Sequence, residues 1–209
     1  MIDKKATRQT QELYQRISGI YDLMESAAEI LFRPWRERVW ALAEGPQFLD
    51  LGVGTGKNMP YYPEGAHITG VDLTPGMLAQ AKKRAARLGL DVDLQLGDAQ
   101  ALEFPEDSFD TAVATFVFCS VPDPVLGFKE LGRVVKPDGK ILLLDHVRSE
   151  INPLGPFMDF VNPLTVRITG ANINRRTVDN AQKAGLHLDR VENVGFMDIF
   201  KLTIARPGN

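Results

Sequence analysis

The residues best placed to do chemistry follow apolar, strand-like segments of the chain. Gly52, Gly54 and Gly56 come directly after the segment Phe48–Leu51. Glycines at alternate positions leave no Cβ atom that would obstruct a ligand lying across the turn. His146 follows another apolar segment, and an unperturbed pKa of about 6.5 suits its imidazole to accept a proton from an amine or a thiol. These residue types predict a bound organic ligand with a proton transfer beside it.

Apolar strand segments alternate with helical segments along most of the chain, and this alternation predicts an α/β fold with a parallel sheet. The carboxyl ends of parallel strands meet at one edge of such a sheet, and ligands bind there. We expect strands near 48–51, 68–72, 92–96, 111–117 and 140–144. The glycine turn, Asp72 and His146 would then share the ligand edge.

The spacing of the glycines disfavours two phosphate-binding motifs. A P-loop needs Gly-x-x-x-x-Gly-Lys-Ser/Thr. Here Leu51 stands at the first glycine position and Asn58 follows Lys57. A dinucleotide loop needs Gly-x-Gly-x-x-Gly, but Lys57 occupies the third glycine position. A nicotinamide enzyme remains a weaker alternative, which a thermal-shift comparison of cofactors would decide.

The pattern that fits is Asp50-x-Gly52-x-Gly54-Thr55-Gly56 followed by Asp72 at the end of the next strand. It resembles the class I S-adenosylmethionine (SAM) methyltransferases, and the resemblance covers about residues 45–205. It implies a Rossmann-like, seven-stranded, mostly parallel sheet with an antiparallel last strand, helices on both faces and an N-terminal helical lid. It also implies a methyltransferase that uses SAM as its cofactor.

The resemblance also assigns cofactor contacts. In the family, the glycine turn passes under the methionine moiety of SAM, and the acid after the second strand accepts both ribose hydroxyls. A carboxylate suits that role because it can accept two hydrogen bonds. Asp98 would accept from the adenine amino group, and Met77 would pack on the adenosine. The complete expected set is Asp50, Gly52, Gly54, Thr55, Gly56, Asp72, Leu73, Met77, Asp98, Ala99 and Phe116.

The domain organisation expected from the sequence is an N-terminal helical cap over 1–44 and a SAM-binding domain over 45–209. Tyr21 resembles a tyrosine that closes over SAM in relatives, so Tyr21 and His146 are the catalytic candidates. The segment 151–173 interrupts the α/β alternation with prolines and apolar residues. We expect it to form a cap over the acceptor pocket that could also contact lipid.

Three further stretches bear on the identity of the methyl acceptor: Phe116–Pro122, Asp145–Glu150 and Gly170–Arg175. They resemble a branch that includes alkyl-thiol S-methyltransferases, bacterial phosphatidylethanolamine N-methyltransferases and ubiquinone/menaquinone methyltransferases. The resemblance implies methyl transfer to a sulfur or nitrogen of a small amphiphilic or lipid-like acceptor. Methylation of a quinone-ring carbon and a SAM-binding accessory role without turnover remain alternatives.

The composition of the chain limits the classes of partner and ligand that we expect it to bind. The net charge of −3 over 209 residues provides no basic field for nucleic acid. A single cysteine, Cys119, leaves no intrachain disulfide or cysteine-cluster metal site, and we expect no metal. The sequence shows no long apolar run or signal peptide. We therefore expect a cytoplasmic protein with peripheral contact at the inner membrane face, of undetermined oligomeric state.

Overall fold

The computed structural model describes residues 2–208 and contains seven strands and seven α-helices. The strands are β1 Gln47–Leu51, β2 His67–Asp72, β3 Asp93–Leu96, β4 Phe109–Thr115, β5 Val135–His146, β6 His187–Asn193 and β7 Phe200–Arg206. The helices are α1 Lys4–Ile17, α2 Tyr21–Met24, α3 Ser26–Trp40, α4 Pro75–Leu88, α5 Pro124–Val134, α6 Leu154–Thr169 and α7 Thr177–Lys183. Short 3₁₀ helices occupy Met59–Tyr61 and Phe196–Asp198.

All seven strands form one sheet in the order β3-β2-β1-β4-β5-β7-β6. Strands β1 to β5 pair in parallel, whereas β7 runs antiparallel to both β5 and β6. This arrangement confirms the predicted mostly parallel sheet with an antiparallel last strand. The β-strand order places the carboxyl ends of β1, β2 and β4 side by side, which is where the glycine turn and Asp72 lie.

Helices cover both faces of the sheet, as predicted. On one face, Phe128 and Leu131 of α5 pack with Leu49 and Leu143. On the other face, Trp40 of α3 packs with residues of β1 and β5, and α4 adds a smaller cluster. Because the central strands are buried on both faces, their sequences read as apolar runs rather than as alternating patterns.

Two strand boundaries differ from the prediction. Strand β4 ends at Thr115 rather than residue 117, because Phe116 adopts a left-handed backbone with φ 60° that a strand cannot accommodate. Strand β5 begins at Val135 rather than near residue 140. The register moves from Phe109 opposite Val135 to Thr111 opposite Lys140, so the extra residues form an irregularity within the strand.

The N-terminal region expected to form a helical cap contains three helices, of which α2 and α3 are separated at Glu25. The α1 helix has no buried residue, and side-chain hydrogen bonds tie it to the rest of the domain. Gln11 Nε2 donates to Leu73 O at 2.8 Å, and Gln15 Oε1 accepts from Gly76 N at 2.8 Å. Helices α1–α3, here called the cap helices, therefore reach the carboxyl edge of the sheet. Within residues 2–208, no helix is both long and apolar enough to cross a bilayer.

Candidate functional site

A cleft lies between the carboxyl ends of β1, β2 and β4 and the cap helices, with about 930 Å³ of space including its open mouth. The glycine turn and Asp72 line one side of the cleft. Tyr14 and Tyr21, from α1 and α2, line the other side, together with Glu25. Clefts at the carboxyl edge of a parallel sheet are where small organic ligands bind.

The glycine turn is shaped by two different constraints. Gly52 has φ +67°, and a Cβ there would lie 2.4 Å from Val117 Cγ2, so the turn needs glycine for packing against the loop after β4. Gly54 has φ +57°, but a Cβ there would meet only Gly52 O at 3.8 Å. Since Gly54 lines the cleft, a side chain at this position would extend into space that a ligand could use.

Asp72 joins the glycine turn to the start of α4. Its Oδ2 accepts from Gly54 N at 2.9 Å, and its Oδ1 accepts from Thr74 N at 2.8 Å. Burial raises the pKa of the Asp72 carboxyl, and the backbone N–H donors oppose that shift. Each carboxylate oxygen retains lone pairs for a further donor, so Asp72 can still accept hydrogen bonds from a ligand in the cleft.

The structure brings most of the predicted cofactor residues together. Asp98, which accepts from Gln100 N at 2.9 Å, lies at the end of the cleft formed by the loop after β3. Phe116 lies at the β4 end, held in its left-handed conformation. The predicted residues that line the cleft are Gly52, Gly54, Thr55, Asp72, Leu73, Met77, Asp98, Ala99 and Phe116.

Asp50 and Gly56 differ from the expected direct contact, because both lie behind the glycine turn. Asp50 is fully buried and accepts from Asn58 Nδ2 at 2.8 Å and from the Tyr62 hydroxyl at 2.6 Å. Burial raises the pKa of Asp50 to about 6 against these lowering hydrogen bonds. A Cβ at Gly56 would lie 2.7 Å from Met59 Cε. These two residues shape the turn from behind rather than facing the cleft.

His146 is also displaced from its expected position. It is the last residue of β5, where it is paired with Phe200 in the β5–β7 ladder, and it is not among the cleft-lining residues. Burial lowers the pKa of the imidazole, and among residues 2–208 its Nδ1 has no hydrogen-bond partner. The geometry therefore gives no direct support to His146 as the group that takes the proton of an acceptor.

The segment 151–173 contains α6, and none of its residues is among those lining the cleft, so the expected cap over the acceptor pocket stays a prediction. Its apolar side chains point to solvent, with Phe157 60% and Phe160 83% exposed. Its end contacts α1, since a Cβ at Gly170 would lie 2.5 Å from Leu13 Cδ2. The cleft is instead closed by α1 and α2, which are nearer to the glycine turn.

Tyr14 and Glu25 line the cleft but were not predicted as site residues. Their neighbour Tyr21 was, and the rings of Tyr14 and Tyr21 lie 6.3 Å apart between centroids. Burial raises the pKa of both tyrosines, and the Glu25 carboxylate adds to the shift. Glu25 Oε2 accepts from Lys57 Nζ at 2.8 Å. This places a carboxylate and two phenols on the cap side of the cleft.

The buried cation Arg36, also not predicted as a site residue, lines the cleft from α3. Its Nη1 donates to Thr115 Oγ1 at 2.7 Å and to Asn58 Oδ1 at 3.0 Å, and its Nε donates to Glu29 at 3.0 Å. No local sequence signal identifies it, because its partners are up to 79 positions away in the chain. In the described chain, no cluster of three His, Cys, Asp or Glu side chains could hold a metal ion.

Comparison with known proteins shows which family the chain resembles. A family model described as a methyltransferase domain matches residues 49–143. A phosphatidylethanolamine N-methyltransferase of Cereibacter sphaeroides is 36% identical over 114 residues, which is 54% of this chain and 56% of that protein. The ubiquinone/menaquinone biosynthesis C-methyltransferase UbiE of Desulfotalea psychrophila is 30% identical over 206 residues, covering 90% of this chain and 82% of that protein.

Among solved structures, the [4+2]-cyclase SpnF superposes with a TM-score of 0.78 at 19% identity, over 95% of this chain and 97% of that one. At this level of identity the likeness shows a shared fold. A fold of this type supports several chemistries, so the reaction must be argued from the site and the closer relatives. Since the two relatives named above methylate different kinds of acceptor, they support methyl transfer without fixing the atom that receives the methyl group.

Proposed function

Because the chain belongs to the class I SAM-dependent methyltransferases, we propose that it moves the cofactor's methyl group to a sulfur or nitrogen of a small amphiphilic or lipid-like acceptor. The acceptor class is supported chiefly by one observation. The cap helices present polar groups to the cleft and apolar side chains to the outside. On α2, Tyr21 lines the cleft while Leu23 is 76% and Met24 57% exposed.

The cleft fits the cofactor. The open position at Gly54 leaves room where a side chain would obstruct, and Asp72 offers two carboxylate oxygens for a ribose diol. Asp98, farther along toward β3, would accept from the adenine amino group. At the opposite end, the buried guanidinium of Arg36 would pair with the methionine carboxylate, since guanidinium groups bind carboxylates well. In this arrangement, the carboxylates of Asp72 and Asp98 would bind the nucleoside of the cofactor, and the guanidinium of Arg36 would bind its amino acid part.

These assignments place the reacting end near β4. In the sheet order, β3 and β2 carry the nucleoside contacts, while β1 and β4 lie on the other side. Ser120, Val121 and Pro122 line the cleft just after β4, opposite Tyr14. The acceptor would therefore enter between the loop after β4 and the cap helices, with Tyr14 and Tyr21 beside it.

The bound cofactor supplies an electrophilic methyl group on a sulfonium, and the chain's own residues supply alignment. Tyr14 and Tyr21 would hold the acceptor atom in line with the methyl group and exclude water. Raised pKa values keep both phenols protonated at neutral pH, so they can donate hydrogen bonds but not act as ready bases. The acceptor loses one proton overall when an amine or thiol is methylated, and that proton must leave through this side of the cleft.

Exposed apolar side chains continue along the next helix, where Ile30 is 76% and Leu31 54% exposed. A molecule with a polar end and a hydrocarbon tail could place its reactive end in the cleft and its tail along these side chains. The same surface could rest on a lipid layer, which would deliver such an acceptor. Ile30→Asp with Leu31→Asp should weaken sedimentation with vesicles, whereas an Asp pair on the polar face of α1 should not.

The test of this proposal is methyl transfer from labelled SAM to a panel of acceptors, read by product mass. The panel contains phosphatidylethanolamine, octylamine, octanethiol and a demethylated hydroquinone. A labelled amine or thioether product supports the proposal. Ring-carbon methylation is the second candidate, favoured by the long match to UbiE, and a labelled ring product as the sole product would replace the proposal.

A further inference from the structure

We propose that Glu25 is the residue that selects the acceptor atom, and that it selects a nitrogen. This inference rests on the proposed function and narrows it to amines. Five described residues lining the cleft carry a formal charge: Glu25, Arg36, Lys57, Asp72 and Asp98. The cofactor assignments above use Arg36, Asp72 and Asp98. Glu25 is therefore the cleft carboxylate that the cofactor leaves to the acceptor.

The position of Glu25 places it at the reacting end. It lines the cleft together with Tyr14, Tyr21 and the loop after β4. Its carboxylate also raises the pKa of both tyrosines and of Cys119 in that loop. The side chain is 33% exposed, so a cation arriving from the mouth of the cleft can reach it. No other carboxylate among the described cleft residues lies on the cap side.

Lys57 does not fully neutralise Glu25, because it interacts with two carboxylates. The Lys57 ammonium lies 2.8 Å from Glu25 Oε2 and also 3.5 Å from Glu29 Oε2. Glu29 pairs in addition with Arg36 at 3.0 Å. Lys57 therefore interacts with two carboxylates, and an incoming ammonium group would find one of them, Glu25, lining the cleft together with Tyr14 and Tyr21. Carboxylates and aromatic faces both attract organic cations.

The charge that develops during transfer distinguishes the three acceptor types. An ammonium acceptor first loses one proton to bulk water, and the nitrogen lone pair then forms the new C–N bond. The electron pair of the breaking C–S bond returns to sulfur, which leaves a neutral thioether, and the product nitrogen carries the positive charge. A fixed carboxylate beside that nitrogen stabilises the charge as it forms.

Sulfur and carbon acceptors develop charge in the opposite sense. A thiol reacts as a thiolate and a hydroquinone ring reacts through its phenolate form, so each brings a negative charge that is lost on methylation. A carboxylate at the same position repels both anions before the reaction and gains nothing during it. Glu25 therefore favours amines over thiols and phenols of equal shape.

The test compares octylamine and octanethiol, which share a chain and differ in the acceptor atom. We expect Glu25→Gln to lower kcat/KM for octylamine about ten- to a hundredfold, as when a charged hydrogen-bond partner is lost, and to leave that for octanethiol unchanged or higher. Calorimetry with the protein saturated with S-adenosylhomocysteine should show weaker octylamine binding to Glu25→Gln, at unchanged affinity for S-adenosylhomocysteine. Glu29→Gln is the matched control, because it removes the other Lys57 partner outside the cleft. Because Glu29→Gln leaves Lys57 paired with Glu25 alone, its ratio of amine to thiol activity should lie at or below that of the unaltered protein but well above that of Glu25→Gln.

Equal losses with both acceptors, or a parallel loss of S-adenosylhomocysteine affinity, would overturn the inference and make Glu25 a cap or cofactor residue. Turnover of octanethiol without turnover of octylamine by the unaltered protein would also overturn it, but would leave the proposed function standing. A ring-methylated hydroquinone as the only product would overturn both.

Discussion

The contact between Asp72 and the cofactor's ribose gives the most quantitative prediction. Asp72 already accepts two backbone N–H groups, from Gly54 at 2.9 Å and Thr74 at 2.8 Å. Asp72→Ala would remove its acceptor oxygens from the ribose diol while the residue stays at a strand end. Hydrogen bonds to charged groups contribute about 1.5–3 kcal/mol. The dissociation constant for SAM should therefore rise about 10- to 150-fold.

Titration calorimetry with SAM and with its 2′-deoxy analogue separates the diol from indirect effects. If Asp72 binds the diol, the alanine variant should lose less affinity for the analogue than for SAM, because one of the two hydrogen bonds is already missing. Thermal unfolding without ligand checks that the variant is folded. Unchanged SAM affinity in a folded variant, or equal losses for both ligands, would refute the assignment.

Three further predictions concern the turn, its supporting carboxyl and the proton. Gly54→Val should abolish SAM binding in calorimetry, whereas Gly65→Val, which also has a positive φ but does not line the cleft, should bind normally. Asp50 has a folded pKa of about 6, above its unfolded value, so its contribution to stability is present below about pH 4 and is lost as the pH rises through 6. Urea titrations should show unfolding free energy falling by about 3 kcal/mol over that window relative to Asp50→Asn; parallel profiles would contradict this. His146→Ala should keep kcat within a fewfold while Tyr21→Phe lowers it, and the reverse order would restore His146 as the base.

The sheet could be predicted because the burial of each strand is visible in its own short stretch of sequence. Leu142 and Leu144 face one core cluster and Leu143 the other, so β5 reads as an uninterrupted apolar run. The end of β2 is equally local, since Asp72 follows buried Val71 and begins the turn to α4. Residues at strand ends and tight turns, such as Gly54 and Asp72, could therefore be placed at the ligand edge from the sequence.

The cap side of the site could not be predicted, because contacts between residues far apart in the chain determine it. The break between α2 and α3 at Glu25 has no glycine or proline to mark it, and the partner of Glu25 is Lys57, 32 positions away. His146 ends a strand as Asp72 does, yet it is paired with Phe200 of β7 and does not line the cleft. Long-range contacts, which leave no periodic signal, decide both positions.

The selection of a nitrogen acceptor is tested most directly by a competition between acceptors in one reaction. Methyl-labelled SAM is mixed with the enzyme and equal concentrations of octylamine, octanethiol and a demethylated hydroquinone, and the masses of all products are followed through the first turnovers. We expect the label to appear first and mainly on the nitrogen of octylamine, with one S-adenosylhomocysteine released per methyl group. Label appearing mainly on sulfur or on a ring carbon, or no transfer to any acceptor, would contradict it.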